Sequence, residues 1–327
     1  MTSGGTVTIS SLKSLVLSGK VDTKNLSLKT DKDITSSADS EVKVSEQFTS
    51  KNGLDMQNAN NSLNNVTVKA SDGKAINGSV LITDSSDDFT ARIVNQVNKD
   101  ITLTNNNNAG KIFLQAQNDG LLIAYGNINL NSGGDFEVVR SLWAAKDINI
   151  ESRRGKIMIT NVSNSSLLRS HGNIKLKAAD LIHVQGRINA GNNVELSSLN
   201  DAIAILENAN VQAGKDINLS ITAGDIGIDG SVNSKNGYIR ANVGTGGFYV
   251  TGKVRANNGN INIEVSKGNI EIGKKPEEDT IIAKGNIFII ADTGSADMLS
   301  AKNDLNITTV DGAKFSANHE KLERESR

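Results

Sequence analysis

A short pattern, an Asp or Asn followed by an apolar residue, any residue and a second apolar residue, returns along most of this chain at a nearly constant interval. It begins at Asp100, Asn127, Asp147, Asn173, Asn193, Asp216, Asn260, Asn286 and Asp304, as in Asp216-Ile217-Asn218-Leu219, with a degenerate copy around Gly237-Tyr238-Ile239. The interval averages about 22–23 residues. A second apolar-x-apolar motif starts at Ile112, Phe136, Ile157, Ile182, Ile203, Ile226, Phe248 and Ile270 and keeps the same interval. A third, apolar-x-small, reads Ile188-Asn189-Ala190, Val211-Gln212-Ala213, Val232-Asn233-Ser234, Val254-Arg255-Ala256 and Ile281-Ile282-Ala283. Each repeat therefore holds three very short strands.

Alternation of period two puts both apolar residues of a triplet on one face and the middle residue on the other. In five of the nine first-strand copies that middle residue is Asn, so this face meets water. Three such strands joined by tight corners make one rung. Rungs stack as parallel strands about 4.8 Å apart, with inward Ile, Leu and Val in columns. The fold this predicts is all-β: a right-handed, single-stranded parallel β-helix, or β-solenoid, of three-strand rungs. Aromatic residues are only 3% of the chain, so the interior has to be aliphatic.

The corners carry their own signal. Gly126, Gly172, Gly259 and Gly285 precede the recurring Asx, whereas Lys146 and Lys215 stand there in other copies. Glycine tolerates positive φ, and Asx side chains bond nearby backbone, so these positions read as turns. Stacked Asx corners can also share amide hydrogen bonds along the axis. Residues 99–315 hold the regular repeats. Residues 1–98 read as irregular rungs of the same solenoid, from Val7-Thr8-Ile9, Leu15-Val16-Leu17, Leu26-Ser27-Leu28, Val42-Lys43-Val44 and Val66-Thr67-Val68, and 316–327 as a charged tail.

Val211-Gln212-Ala213-Gly214-Lys215-Asp216-Ile217-Asn218-Leu219, followed by Ala223-Gly224-Asp225-Ile226-Gly227-Ile228-Asp229-Gly230, resembles the haemagglutinin-type repeats of filamentous-haemagglutinin-like exoproteins of bacterial two-partner secretion. The resemblance covers residues 99–310 well and 1–98 weakly. It implies a secreted or cell-surface fibrous stalk that serves adhesion, with a protein or glycan of a host or neighbouring cell as partner. It carries over no catalytic or binding residue. The N-terminus shows no basic segment followed by an apolar run, so export as part of a larger exoprotein is the expectation, with a cytoplasmic, assembly-forming solenoid as the alternative.

The remaining signals mostly exclude. Without Cys there is no disulfide, thiolate metal site or thiol nucleophile. With 35 basic and 36 acidic residues there is no footprint for nucleic acid, and no stretch is apolar enough for membrane insertion. His171, His183 and His319 fall on separate rungs or in the tail, Gly133-Gly134-Asp135 matches a calcium repeat only in part, and Gly244-Thr245-Gly246-Gly247 lacks the helix and Lys of a phosphate loop. No metal, cofactor or catalytic residue is expected. A polysaccharide-cleaving β-helix enzyme, the enzymatic alternative, needs a carboxylate cluster in one groove, and the outward slots show none.

Candidate binding residues fall on surplus segments that should protrude: Lys274, Lys275, Glu277 and Glu278 in the loop after Gly273, and Arg153 and Arg154 at a basic corner near residues 160–166. Phe113, Met158, Tyr249 and Phe288 occupy outward middle slots, where a contiguous apolar patch would mark a partner or self-association surface.

Overall fold

The computed structural model describes residues 1–309 except 31, 38–39, 52, 59–60, 71–74, 117–120, 139–140, 161–166, 274–279 and 297–298. Every regular element among the described residues is a strand, and the strands pair in parallel within three sheets, so the chain is an all-β parallel β-solenoid. Its contacts divide it into two units, Met1–Gly172 and Asn173–Arg327.

In the second unit each rung visits three walls in turn. Strands Ile217–Ala223, Ile239–Thr245 and Ile261–Lys267 belong to the first wall, Asp225–Ile228, Phe248–Val250 and Asn269–Ile272 to the second, and Ser231–Ser234, Lys253–Ala256 and Ile281–Ala283 to the third. The register stacks like on like. Ile217, Ile239, Ile261 and Ile287 form one column; Ile203, Ile226, Phe248 and Ile270 a second; Val211, Val232, Val254 and Ile281 a third. All of these side chains are buried. A single rung has nothing to cover its apolar face, so only stacking makes burial outweigh the ordering of the polar corners.

The recurring Asx turns out to be a rung-to-rung clasp. The Oδ1 of Asp100 accepts the backbone N–H of Asn127 at 2.7 Å, and Asn127 Oδ1 accepts that of Asp147 at 3.2 Å. In the second unit the same bond runs from Asn193 to Asn173, Asp216 to Asn193, Tyr238 to Asp216, Asn286 to Asn260 and Asp304 to Asn286, at 2.9–3.2 Å. Only an acceptor oxygen is required, which is why Asp and Asn interchange freely here. Amide-to-amide sharing instead occurs on the outward face, where Asn149 Nδ2 donates to Asn129 Oδ1 at 2.9 Å.

Positive φ is not why glycine precedes the Asx. Gly126 and Gly237 are not among the left-handed residues; a β-carbon there would collide with the Oδ1 of Asp100 or Asp216 one rung away. In the second unit the left-handed glycines lie at another corner, where Gly224, Gly246 and Gly268 have φ of 129°, 132° and 143°; in the first, Gly78 has φ of 112°.

The first unit, taken by itself, also has three walls from Ala75–Ile76 onward, where its third sheet begins. Its earlier rungs depart from three strands. Strands Thr2–Ser11, Lys20–Thr30 and Glu41–Lys51 are 10 or 11 residues long, and each is followed by a strand of three residues, Leu15–Leu17, Ile34–Ser36 or Leu54–Met56. Pairing along the long strands shifts between Ser3 and Thr6 and between Thr23 and Asn25. Such bulges bend a strand, so one continuous strand turns where later rungs break it in two.

One inner corner of this unit is polar. Asp84 and Asn105 stand in register there, followed on later rungs by Ser132 and Ser152, and all four are buried. Asp84 Oδ1 accepts Leu63 N–H at 2.5 Å and Oδ2 accepts Ser86 N–H at 2.7 Å and the Ser86 hydroxyl. Burial nevertheless holds its carboxyl above the ordinary aspartate value of 3.8, outweighing those bonds. A raised carboxylate pKa means that the folded chain keeps the proton longer than the unfolded one. The stability contributed by Asp84 is therefore full below pH 3.8 and is lost as pH rises through the window up to the raised value. Asp84→Asn is expected to remove this contribution: between pH 3.5 and pH 7 the variant's melting temperature should fall less, or rise more, than the parent's, whatever its absolute stability.

Candidate functional site

The basic corner is part of the scaffold. Arg153 is exposed but sends Nη2 back to the Asn105 carbonyl at 2.6 Å, and its own N–H bonds Ser132 O at 3.0 Å. Arg154 is exposed, with its N–H on Gly133 O at 3.0 Å. Lys274, Lys275, Glu277 and Glu278 lie outside the described residues, as do 161–166 and the tail. The base of the 274–279 loop is described: Thr280 Oγ1 donates to Gly273 O at 3.1 Å, and Val254 N–H bonds Thr280 O at 2.8 Å.

Of the outward apolar residues, Phe113 and Met158 share a column but Glu137 stands between them. Tyr249 is exposed beside Gly227 and Glu271, and its ring lies where a β-carbon on Gly247 would be. These three do not form a patch.

Two other places do gather side chains. On the third wall of the first unit, the only Trp of the sequence, Trp143, faces outward between Ile123 and Arg169 in register. Tyr125 meets its ring edge to face at 5.7 Å between centroids, and His171 does so at 5.2 Å. Tyr125 is 49% exposed and Leu121 45%. The cluster spans three successive rungs.

The second place is a depression of about 430 Å³ on the first wall of the second unit, lined by Arg240, Asn242, Asn262, Glu264, Phe288 and Ile290. Arg240, Asn262 and Phe288 follow one another in one outward column; Asn242, Glu264 and Ile290 follow in the next. The Arg240 guanidinium sits 5.3 Å from the centre of the Tyr238 ring, a cation–π contact that fixes its direction. Among the described residues, only Asn262 Oδ1 and Ser50 Oγ are buried side-chain polar atoms without a hydrogen-bond partner. Such an orphan costs about 1–3 kcal/mol.

No family model, curated protein or solved structure matches this chain.

The electrostatics elsewhere are those of a solvated wall. Glu41 is held below its ordinary value by the Lys43 and Lys20 ammonium groups, each 2.9 Å away, and Lys175 pairs with Glu195 at 2.7 Å. These pairs lie at the surface and contribute little. Among the described residues no group of three or more His, Asp or Glu could hold a metal ion, and no helix is long and apolar enough to cross a membrane.

Sequence reasoning missed both clusters. The signal for the first was present: Leu122-Ile123-Ala124, Leu142-Trp143-Ala144 and Leu168-Arg169-Ser170 extend the apolar-x-small motif toward the N-terminus and place Trp143 in an outward slot. His171, which the sequence places on a rung apart from the other histidines, meets Trp143 through the stacking of rungs. The second cluster needed the exact register between Arg240 and Phe288, which only the strand pairing supplies.

Proposed function

We propose that this chain is a non-enzymatic, structural and adhesive β-solenoid, part of a secreted or surface-held exoprotein of the haemagglutinin-like kind, whose outward faces contact a protein or glycan of another cell. The proposal includes neither nucleic-acid binding nor membrane insertion. The observation that carries it is the Trp143 cluster. In a chain with 3% aromatic residues, Trp143, Tyr125 and His171 stand together on an outward wall, beside exposed Leu121. Aromatic anchors on a rigid surface supply contact area at low entropic cost, and the inward columns need none of them. The repetition of the rungs supports the same reading, since every wall is fixed by inward packing and leaves its outward column free to vary.

The test is retention of the purified, labelled chain on bacterial and epithelial cells. Trp143→Ala is expected to weaken retention about tenfold while leaving the melting temperature within a degree or two, since Trp143 fills no inward column. The release of new reducing ends or unsaturated products from a panel of polysaccharides would replace this reading with the enzymatic one.

A further inference from the structure

We propose that the depression between Arg240 and Phe288 is a binding site for a neutral, hydroxylated sugar ring; the inference deepens the adhesive reading and rests on it. The site lies in an outward column of varied side chains that runs Lys175, Glu195, Asn218, Arg240, Asn262, Phe288 and Asn306. Asn218, Asn262 and Asn306 are outward Asn on their strands, but Arg240 and Phe288 take the slots between them. In the first unit the equivalent neighbours Asn129 and Asn149 bond each other along the axis. Asn262 has no such neighbour, and its Oδ1 is left buried and unpaired. An amide at 288 could satisfy that oxygen; the Phe288 ring cannot.

What the lining can recognise follows from its chemistry. Phe288 and Ile290 lie two residues apart on one strand and make an apolar row, Ile290 being 47% exposed. Two rungs back, Arg240 and Asn242 make a row of hydrogen-bonding groups, and Asn262 and Glu264 lie between the rows. A ligand that fits presents a C–H face to Phe288 and hydroxyls to the amides, to Glu264 and to Arg240. Arg240 and Glu264 offset each other in charge, so an anionic sugar meets Glu264 and a cationic one meets Arg240. A neutral ring meets neither penalty. The volume, about 430 Å³, is that of a small-ligand site. A second copy or a partner protein needs an interface of about 1,000 Å² or more, which a depression spanning three strands does not supply.

The experiment is saturation-transfer NMR of the full chain with methyl glycosides of glucose, galactose, mannose and N-acetylglucosamine, with methyl glucuronide and glucosamine as charged controls. At least one neutral glycoside is expected to bind with a millimolar Kd, as suits a single ring. Phe288→Asn is expected to weaken that binding about tenfold. The same substitution should raise the melting temperature, because the new amide can donate to Asn262 Oδ1. Arg240→Gln, which keeps an amide in the slot, should also weaken binding without lowering the melting temperature. The proposal falls if no neutral glycoside saturates by about 50 mM, if charged glycosides bind better, if both variants bind like the parent, or if Phe288→Asn lowers the melting temperature. Cell retention of the same preparations separates this from the broader reading. Retention without sugar binding overturns the site alone, whereas sugar binding without retention overturns the adhesive role alone.

Discussion

Replacing Gly246 by alanine is expected to destabilise the second unit by about 3 kcal/mol, the sum of a strained backbone and a forced overlap. Gly246 has φ of 132°, which L-residues rarely adopt, and its β-carbon would overlap the carbonyl oxygen of Gly224 one rung below. Gly268 stands against Gly246 in the same way, so the overlap cannot be relieved by moving one corner without moving the next. The control is Gly227→Ala. That glycine lies in strand Asp225–Ile228, has ordinary φ, and has nothing within 4 Å of a β-carbon position. Alanine there should be neutral or stabilise by about 0.5 kcal/mol, since glycine in a strand carries extra unfolded-state entropy. Denaturant titration followed by hydrogen exchange reads both. Equal effects at the two positions would sink the stacked-corner account.

Phe248 and Tyr249 give the second test, because adjacent residues should differ about tenfold in energetic effect. Phe248 is 1% exposed and sits between Ile226 and Ile270 in an inward column, so Phe248→Ala should cost about 3–5 kcal/mol through lost burial and a residual cavity. Tyr249 is 37% exposed and points the other way; Tyr249→Ala should change stability by about 0.5 kcal/mol or less. In a stacked array the loss need not be global. Hydrogen exchange after Phe248→Ala should rise most at the amides of Ile226–Ile228 and Ile270–Ile272, the paired rungs. A uniform rise across all strands would mean that the unit unfolds as one cooperative block.

How far the sequence could be read depended on the local repeat. Inward columns such as Ile203–Ile226–Phe248–Ile270 were visible because alternation and the repeat interval are both encoded in the order of residues, and a parallel stack does no more than superimpose them. The Asx clasp was half legible. Its recurrence could be seen, but the acceptor role that lets Asp replace Asn appears only when Asp216 Oδ1 is found on Tyr238 N–H, 22 residues later. The early rungs are irregular because a bulge such as that between Thr23 and Asn25 moves the turn inside a strand, so one long strand stands where the repeat elsewhere has two short ones.

The sequence by itself determined the parallel stacking of short strands and which side chains go inward, because periodicity two within strands and about 22–23 between them admit one arrangement that buries the first and third residues of the triplets. Tertiary structure alone decided which outward residues meet. Tyr125, Trp143 and His171, or Arg240, Asn262 and Phe288, are tens of residues apart in the chain. They become neighbours only after each intervening corner has taken its particular length, and the strand spacing of about 4.8 Å then holds them within contact.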